Sequence, residues 1–304
     1  MTIEALRTPE VRFADLPGFP YAPRYVDDLA GYEGLRAAYV DEGPVDADEV
    51  FLCLHGEPSW SYLYRRMIPV FLDAGARVVA PDFFGFGRSD KPVQDEDYSF
   101  HFHRDYLIRL IERLDLRGVT LVVQDWGGLL GLTLPVAPGM AARISRLLVM
   151  NTTLAVGVAP SDGFLAWRDY AASNPDLAVG ALIRRSAPHL TVAEAAAYDA
   201  PFPERRFKAG VRAFPQLVMT RPDMAGVAES KAAANFWRSD WRGESFMAYG
   251  AADPVLGAPV MQALHAKIRG CPEPMIVRES GHFVQEWGEP IARAALAAFA
   301  RDRA

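Results

Sequence analysis

Val119-Thr120-Leu121-Val122-Val123-Gln124-Asp125-Trp126-Gly127-Gly128 decides how this chain is read. Its first five residues form an apolar run, rich in β-branched side chains and too short for a helix, which predicts a buried strand. The two glycines permit a tight turn, and a helix is expected from near Leu129. Asp125 therefore stands at a strand–turn–helix junction, where a side chain can be presented to a ligand. An aspartate held there can attack carbon and make an ester. Because that ester must then be hydrolysed, the position calls for a base and an acid elsewhere in the chain.

Outward from this junction the chain alternates. Strands are expected over 35–40, 50–54 and 78–80, separated by Gly, Pro and Asp turns, so the opening reads as a strand-rich meander. Over 99–116, Phe102, Tyr106, Leu110 and Leu114 recur every four residues, as in a helix lying on a sheet. Strand 119–123, a helix from 129 and strand 144–150 follow. This βαβα order predicts a mostly parallel central sheet flanked by helices. Strand signals stop between 155 and 240, where short helical stretches rich in Ala, Pro and aromatics read as an inserted helical cap. The alternation then resumes with strand 245–249, helix 259–268, strand 275–278 and helix 290–301. The expected organisation is an α/β core domain of 1–154 and 241–304, interrupted by a cap of 155–240.

Composition narrows the partners. The chain has 304 residues, half of them hydrophobic, which is enough for a large core. Its net charge is −6 with no basic run, which argues against nucleic acid or an anionic membrane as partner and favours a small neutral substrate. Cys53 and Cys271 make neither a disulfide framework nor a metal cluster. His101 and His103 lie two apart on a predicted helix and face different ways, and His189 and His265 lack neighbours at ligand spacing; no metal or cofactor is expected. The N-terminus has no signal-like apolar region and no segment is long enough to span a membrane, so a cytoplasmic protein is expected, and a monomer, since no apolar stripe demands a partner.

Two more residues follow Asp125 in the order the chemistry needs. Asp253, in Tyr249-Gly250-Ala251-Ala252-Asp253, and His282, in Glu279-Ser280-Gly281-His282-Phe283, each lie just past a predicted strand. Carboxyl ends of parallel strands converge on one crevice, so residues far apart in sequence can meet there. Nucleophile, acid, histidine is the order of the α/β-hydrolase fold. His282, with an ordinary pKa of about 6.5, is expected neutral near pH 7 and able to deprotonate water, while Asp253 fixes its tautomer. The alternative seat for the acid, after strand 144–150, holds Asn151, which carries no charge. Behind strand 50–54 comes Leu54-His55-Gly56-Glu57-Pro58-Ser59-Trp60; in this fold the amides of Glu57 and Trp126 would form the oxyanion hole. The Glu57 side chain reads either as a loop-ordering group or as a general base. His55 reads as a structural hydrogen-bonding residue.

Across nearly its whole length the chain resembles the haloalkane dehalogenases, cofactor-free α/β hydrolases that cleave carbon–halogen bonds with water. The resemblance is carried by His55-Gly56-Glu57-Pro58-Ser59-Trp60, Gly85-Phe86-Gly87-Arg88-Ser89-Asp90-Lys91-Pro92, Gln124-Asp125-Trp126-Gly127-Gly128 and Ser280-Gly281-His282-Phe283-Val284-Gln285-Glu286. It implies a halogenated alkane as substrate and a halide ion held by indole N–H groups, which donate without a repelling acceptor. Trp126 is one implied donor. A subfamily whose second donor is an Asn after His-Gly does not match, because Glu57 stands there. The subfamily with a cap tryptophan matches through Asp162-Gly163-Phe164-Leu165-Ala166-Trp167, with Asp253 as acid. Trp167 is then the second donor, and Phe164, Phe214, Pro215 and Val218 match substrate-pocket positions.

Rival readings differ at named residues. Epoxide hydrolases share the aspartate and histidine and use cap tyrosines to protonate the opening ring, and Tyr170 and Tyr198 lie in the expected cap. Halide needs no proton to leave, so the tryptophans favour dehalogenation. Fluoroacetate dehalogenases resemble a pattern with an arginine close behind the aspartate, and here glycines follow Trp126. A non-catalytic relative that only binds an apolar ligand has no use for an intact Asp125, Asp253 and His282.

Overall fold

The computed structural model of the protein describes residues 3–301; the outermost residues of the expected core domain, 1–2 and 302–304, lie outside the described residues. Among the described residues ten strands form in chain order: β1 (Ala5–Leu6), β2 (Arg24–Val26), β3 (Ala37–Glu42), β4 (Val50–Leu54), β5 (Arg77–Pro81), β6 (Lys91–Pro92), β7 (Val119–Gln124), β8 (Ile144–Met150), β9 (Glu244–Gly250) and β10 (Met275–Val277). Eight of them make one sheet in the order β10-β9-β8-β7-β4-β5-β3-β2. All pairings are parallel except β2 with β3 and β3 with β5. β4, β5 and β7 are buried at every position, as strands covered on both faces must be.

The expected opening meander is corrected in two ways. β1 pairs with β6 in a separate two-stranded ribbon. Between β4 and β5 runs helix α1 (Ile68–Asp73), the crossover that two parallel neighbours require. Its sequence, Ile-Pro-Val-Phe-Leu-Asp, is apolar nearly throughout, so it shows no helical periodicity to read.

The remaining helices cover the sheet or lie over one end of it. They are α2 (Phe100–Arg113), α3 (Trp126–Gly131), α4 (Asp162–Ser173), α5 (Val179–Ser186), α6 (Val192–Asp199), α7 (Ala209–Leu217), α8 (Val227–Asn235), α9 (Ala258–His265) and α10 (Gly288–Arg301). Between β8 and β9 the chain is helical, α4 to α8, and ends in a π-helical turn over Phe236–Asp240. That last turn is tied to the core, where the Trp237 indole donates to the Leu132 carbonyl at 2.8 Å. Among the described residues no helix is long and apolar enough to cross a membrane.

Strand order reverses at β4. From it the chain moves outward to β5 and later returns to its other side as β7. Such a switch opens a crevice beyond the carboxyl ends of the two strands. His55-Gly56-Glu57 leaves β4 there and Asp125 leaves β7. β8, β9 and β10 lie side by side beyond β7, so Asn151, Asp253 and His282 emerge along the same edge.

The glycines after Asp125 act through close packing. Helix α3 begins at Trp126, earlier than expected, and contains both. A Cβ on Gly127 would come within 2.0 Å of the Leu54 carbonyl oxygen, and one on Gly128 within 2.1 Å of Thr152 Oγ1. Gly127→Ala is therefore expected to destabilise the fold by at least ~1–3 kcal/mol, the ordinary cost of overpacking. A urea midpoint equal to wild type would show that β4 yields freely.

Candidate active site

Asp125 carries the backbone strain of the turn. Its φ of 50° and ψ of −122° are costly for a residue with a side chain, on the order of 1–3 kcal/mol. Four hydrogen bonds hold it there. Its N–H donates to the Asn151 carbonyl at 2.9 Å, and its carbonyl accepts from the Gly128 and Leu129 amides at 2.9 Å and from Thr152 Oγ1 at 2.7 Å. The carboxylate is thereby lifted off the end of β7 into the crevice.

Its two oxygens face different partners. The Glu57 amide donates to Oδ1 at 2.8 Å, and the Trp126 amide also bonds the carboxylate. Oδ2 lies 3.6 Å from His282 Nε2, beyond hydrogen-bond range. Burial pushes the Asp125 carboxyl above its ordinary value, and the His282 charge and the two amides offset this only in part.

His282 and Asp253 meet directly. Nδ1 of the ring lies 2.8 Å from Asp253 Oδ2, which also accepts from Asn151 Nδ2 at 2.9 Å, while Oδ1 accepts from the Val255 amide at 2.8 Å. Burial alone would raise the Asp253 carboxyl; the His282 charge and N–H, with the backbone amides, outweigh it and hold the group below its ordinary value. For His282, burial opposes the imidazolium, but Asp253 and then Asp125 overcome it and push the pKa up to about 9. The expectation of a neutral His282 near pH 7 is thus corrected for the resting protein. Two carboxylates in a partly dehydrated crevice stabilise the proton more than burial disfavours it.

A stability prediction follows from this shift. The histidine's contribution is present in full below its unfolded value of about 6.5 and is lost as pH rises through about 9. The difference in unfolding free energy between wild type and His282→Phe should shrink across that window. A difference constant from pH 6 to 10 would count against the ion pairing.

Glu57 behaves differently from its neighbour's carboxylate. It is buried, its Oε1 has no hydrogen-bond partner among the described residues, and burial followed by the charge of Asp125 raises its pKa well above the ordinary range. His55 is buried and accepts from the Phe83 amide at 3.0 Å, the structural role expected of it.

These groups open onto a cavity of about 850 Å³ lined by Glu57, Asp125, Trp126, Asp253, His282 and residues between β8 and β9. Trp167, Phe164, Pro215 and Val218 line it. Phe214 does not: it is fully buried behind Trp126, edge-on to that indole at 4.7 Å, and its expected pocket position is corrected. The α7 face that carries Phe214 packs against Phe86 and His103 of the core, so its next residue, Pro215, reaches the cavity instead.

The tryptophans that line the cavity differ from three that pack elsewhere. The indoles of Trp60, Trp237 and Trp241 donate to the Ala197 carbonyl, the Leu132 carbonyl and Ser245 Oγ. Those of Trp126 and Trp167 have no acceptor among the described residues, and both rings face the cavity. Of the two tyrosines considered for epoxide opening, Tyr170 lines the cavity, whereas Tyr198 is fully buried and donates to Glu286.

Other contacts had no signal in the sequence reading. Asn151, set aside there as uncharged, orients Asp253 and bridges to Gly250, accepting its N–H at 2.8 Å. Gln124 Nε2 lies 3.0 Å from His282 Nε2 and donates to the His282 carbonyl at 3.2 Å. Ser186, at the end of α5, accepts from the His282 amide at 3.1 Å. Gln124 and Asn151 could have been suspected as polar residues ending buried strands.

Comparison with known proteins gives the family. Residues 49–289 match the family model of the alpha/beta hydrolase fold. The chain is 42% identical over 298 residues to a haloalkane dehalogenase of Psychrobacter cryohalolentis, covering 96% of each. It is 46% identical over 294 residues to haloalkane dehalogenase 1 of Mycobacterium tuberculosis, covering 93% of this chain and 94% of the relative. A solved structure, the tetrameric haloalkane dehalogenase DpaA from Paraglaciecola agarilytica NO2, superposes with a TM-score of 0.96 at 55% identity, covering 98% of this chain and 99% of that one. With an α/β-hydrolase sheet and relatives of this identity over nearly its full length, the chain belongs to the haloalkane dehalogenases, hydrolases acting on carbon–halogen bonds.

Proposed function

We propose that Asp125 is the nucleophile of this dehalogenase, with His282 as base, Asp253 as the acid that orients it, and Trp126 and Trp167 as halide donors. One observation carries the reading: the Asp125 carboxylate is divided, one oxygen held by the Glu57 amide and the other facing His282 across 3.6 Å. Residues 155–240 act as a cap over a core of 1–154 and 241–304, and contribute Trp167 to the cavity wall.

The chemistry then runs in two steps. Oδ2 of Asp125 attacks the halogen-bearing carbon in line, forming an alkyl ester as the carbon–halogen bond breaks. The halide leaves with the bonding electrons to the two indole N–H groups. In the resting state the His282 charge opposes the rise that burial imposes on the Asp125 carboxyl. Esterification removes the Asp125 charge, one of the two that raise the histidine, so its pKa falls and it releases its proton. The neutral ring takes a proton from water, which attacks Cγ of Asp125. The developing oxyanion is held by the Glu57 and Trp126 amides, and the protonated ring returns its proton to the leaving alcohol. Alcohol, halide and one proton are the net products.

The direct test is bromide release from 1-bromobutane by purified protein, in parallel with an epoxide such as 1,2-epoxybutane. Turnover of the epoxide alone would overturn the halide reading. Trp167→Phe is expected to weaken halide binding about ten- to a hundredfold, the value of one hydrogen bond to a charge, read by quenching of tryptophan fluorescence. Unchanged quenching would make Trp167 a packing residue.

A cytoplasmic monomer completes the proposal. Large exposed apolar side chains among the described residues, Val11, Val45, Val158, Tyr170, Val192 and Ile276, are scattered over separate elements. Light scattering that returns the mass of four chains, the assembly described for DpaA, would overturn the monomer.

A further inference from the structure

Segment 281–287, which carries His282, is gripped from the helical segment between β8 and β9 at two points. At its start, Ser186 Oγ accepts from the His282 amide at 3.1 Å, and a Cβ on Gly281 would come within 2.5 Å of that oxygen. At its end, the Glu286 carboxylate is fully buried and held at 2.7 Å by both terminal nitrogens of Arg65. Tyr198 of α6 donates to the same carboxylate, and Glu194 of α6 joins Arg66 at 2.7 Å. His189, between α5 and α6, lies 3.2 Å from the Glu286 carbonyl. On the core side the Asp253 carboxylate holds Nδ1 of the His282 ring, and Gln124 donates to the His282 carbonyl.

Of the contacts from the helical segment, that of Ser186 reaches the histidine itself, opposite the Gln124 amide that donates to the His282 carbonyl from the core, and we propose that Ser186 is a positioning residue for the hydrolytic step. It acts through the His282 backbone: the hydroxyl anchors the amide from which the imidazole projects, and so sets where Nε2 stands relative to Asp125. The alkylation step uses Asp125 Oδ2 and the indoles, and its geometry is set by the β7–α3 turn, which Ser186 does not touch. The effect should therefore fall on one half-reaction. This inference rests on the two-step reading above.

The experiment measures the two steps separately in wild type, Ser186→Ala and Ser186→Thr by rapid quench with 1-bromobutane, following bromide and the mass of the alkylated protein. Ser186→Ala is expected to slow ester hydrolysis about tenfold while the bromide burst rate stays within about twofold of wild type, so that alkyl-enzyme accumulates. Ser186→Thr, which keeps the hydroxyl, should restore hydrolysis. Equal loss in both steps, unchanged hydrolysis in the alanine variant, or no rescue by threonine would overturn the assignment; circular dichroism and the urea midpoint exclude misfolding as the cause of a loss. His282→Phe is the control for the underlying scheme. If that variant never yields an alkyl adduct, the two-step reading fails; if it does and Ser186→Ala behaves as wild type, only the role of Ser186 fails.

Discussion

Asp125→Ala should reduce bromide release by at least ~10⁴-fold, to the background of uncatalysed hydrolysis in the same cavity. The size of the effect follows from the arrangement around the residue. The Asp253 carboxylate is turned away to His282 and the Val255 amide, so it cannot take the place of Asp125. The same change relieves His282 of one of two negative neighbours, so its pKa should fall from about 9 in the variant, observable by NMR titration. Residual turnover above a few per cent would refute the nucleophile assignment. An unshifted histidine would refute the coupling.

His282→Phe has the second large effect, and a different signature. Alkylation needs no base, so bromide should still be released once per molecule, at a lower rate because Asp125 has lost the charge that offsets its burial. Hydrolysis needs a base, and its loss should slow the second step by roughly 10²–10⁴-fold. The alkyl ester then persists, and mass spectrometry should place the added group on the peptide containing Asp125. Because water attacks the carboxylate carbon, a single turnover of wild type in ¹⁸O-water should label Asp125 and leave the alcohol unlabelled. Label in the alcohol would mean direct attack of water on the substrate. A variant without any adduct would sink the ester.

How far the sequence could be read depended on what kind of signal each element carried. β4 and β8 were expected at the bounds they have, because β4 is an unbroken buried apolar run and β8 carries one over Leu147 to Met150. The α1 crossover was missed because its six residues, apolar but for Asp73, are too few to show a 3.6-residue period. β1 and β6 are two residues each, too short to show alternation. In the site, Asp125, Asp253 and His282 were legible because each follows a strand, in the order one topology uses. Phe214 was misplaced since its residue type says only that it is apolar, and both the cavity wall and the packing behind Trp126 take apolar side chains.

The sequence by itself determined which chemical groups stand at the ends of which strands, and through them the fold and the family. Only the tertiary structure decided their pKa shifts and their supports: His282 raised between two carboxylates, Glu57 raised by burial and by one, Ser186 and Asn151 steadying the pair. The division has a physical cause. Apolar patterning and turn chemistry are local properties of the chain. A pKa or a supporting hydrogen bond depends on burial and on charges that arrive from other strands and helices, and these come within a few ångströms only when the sheet is assembled.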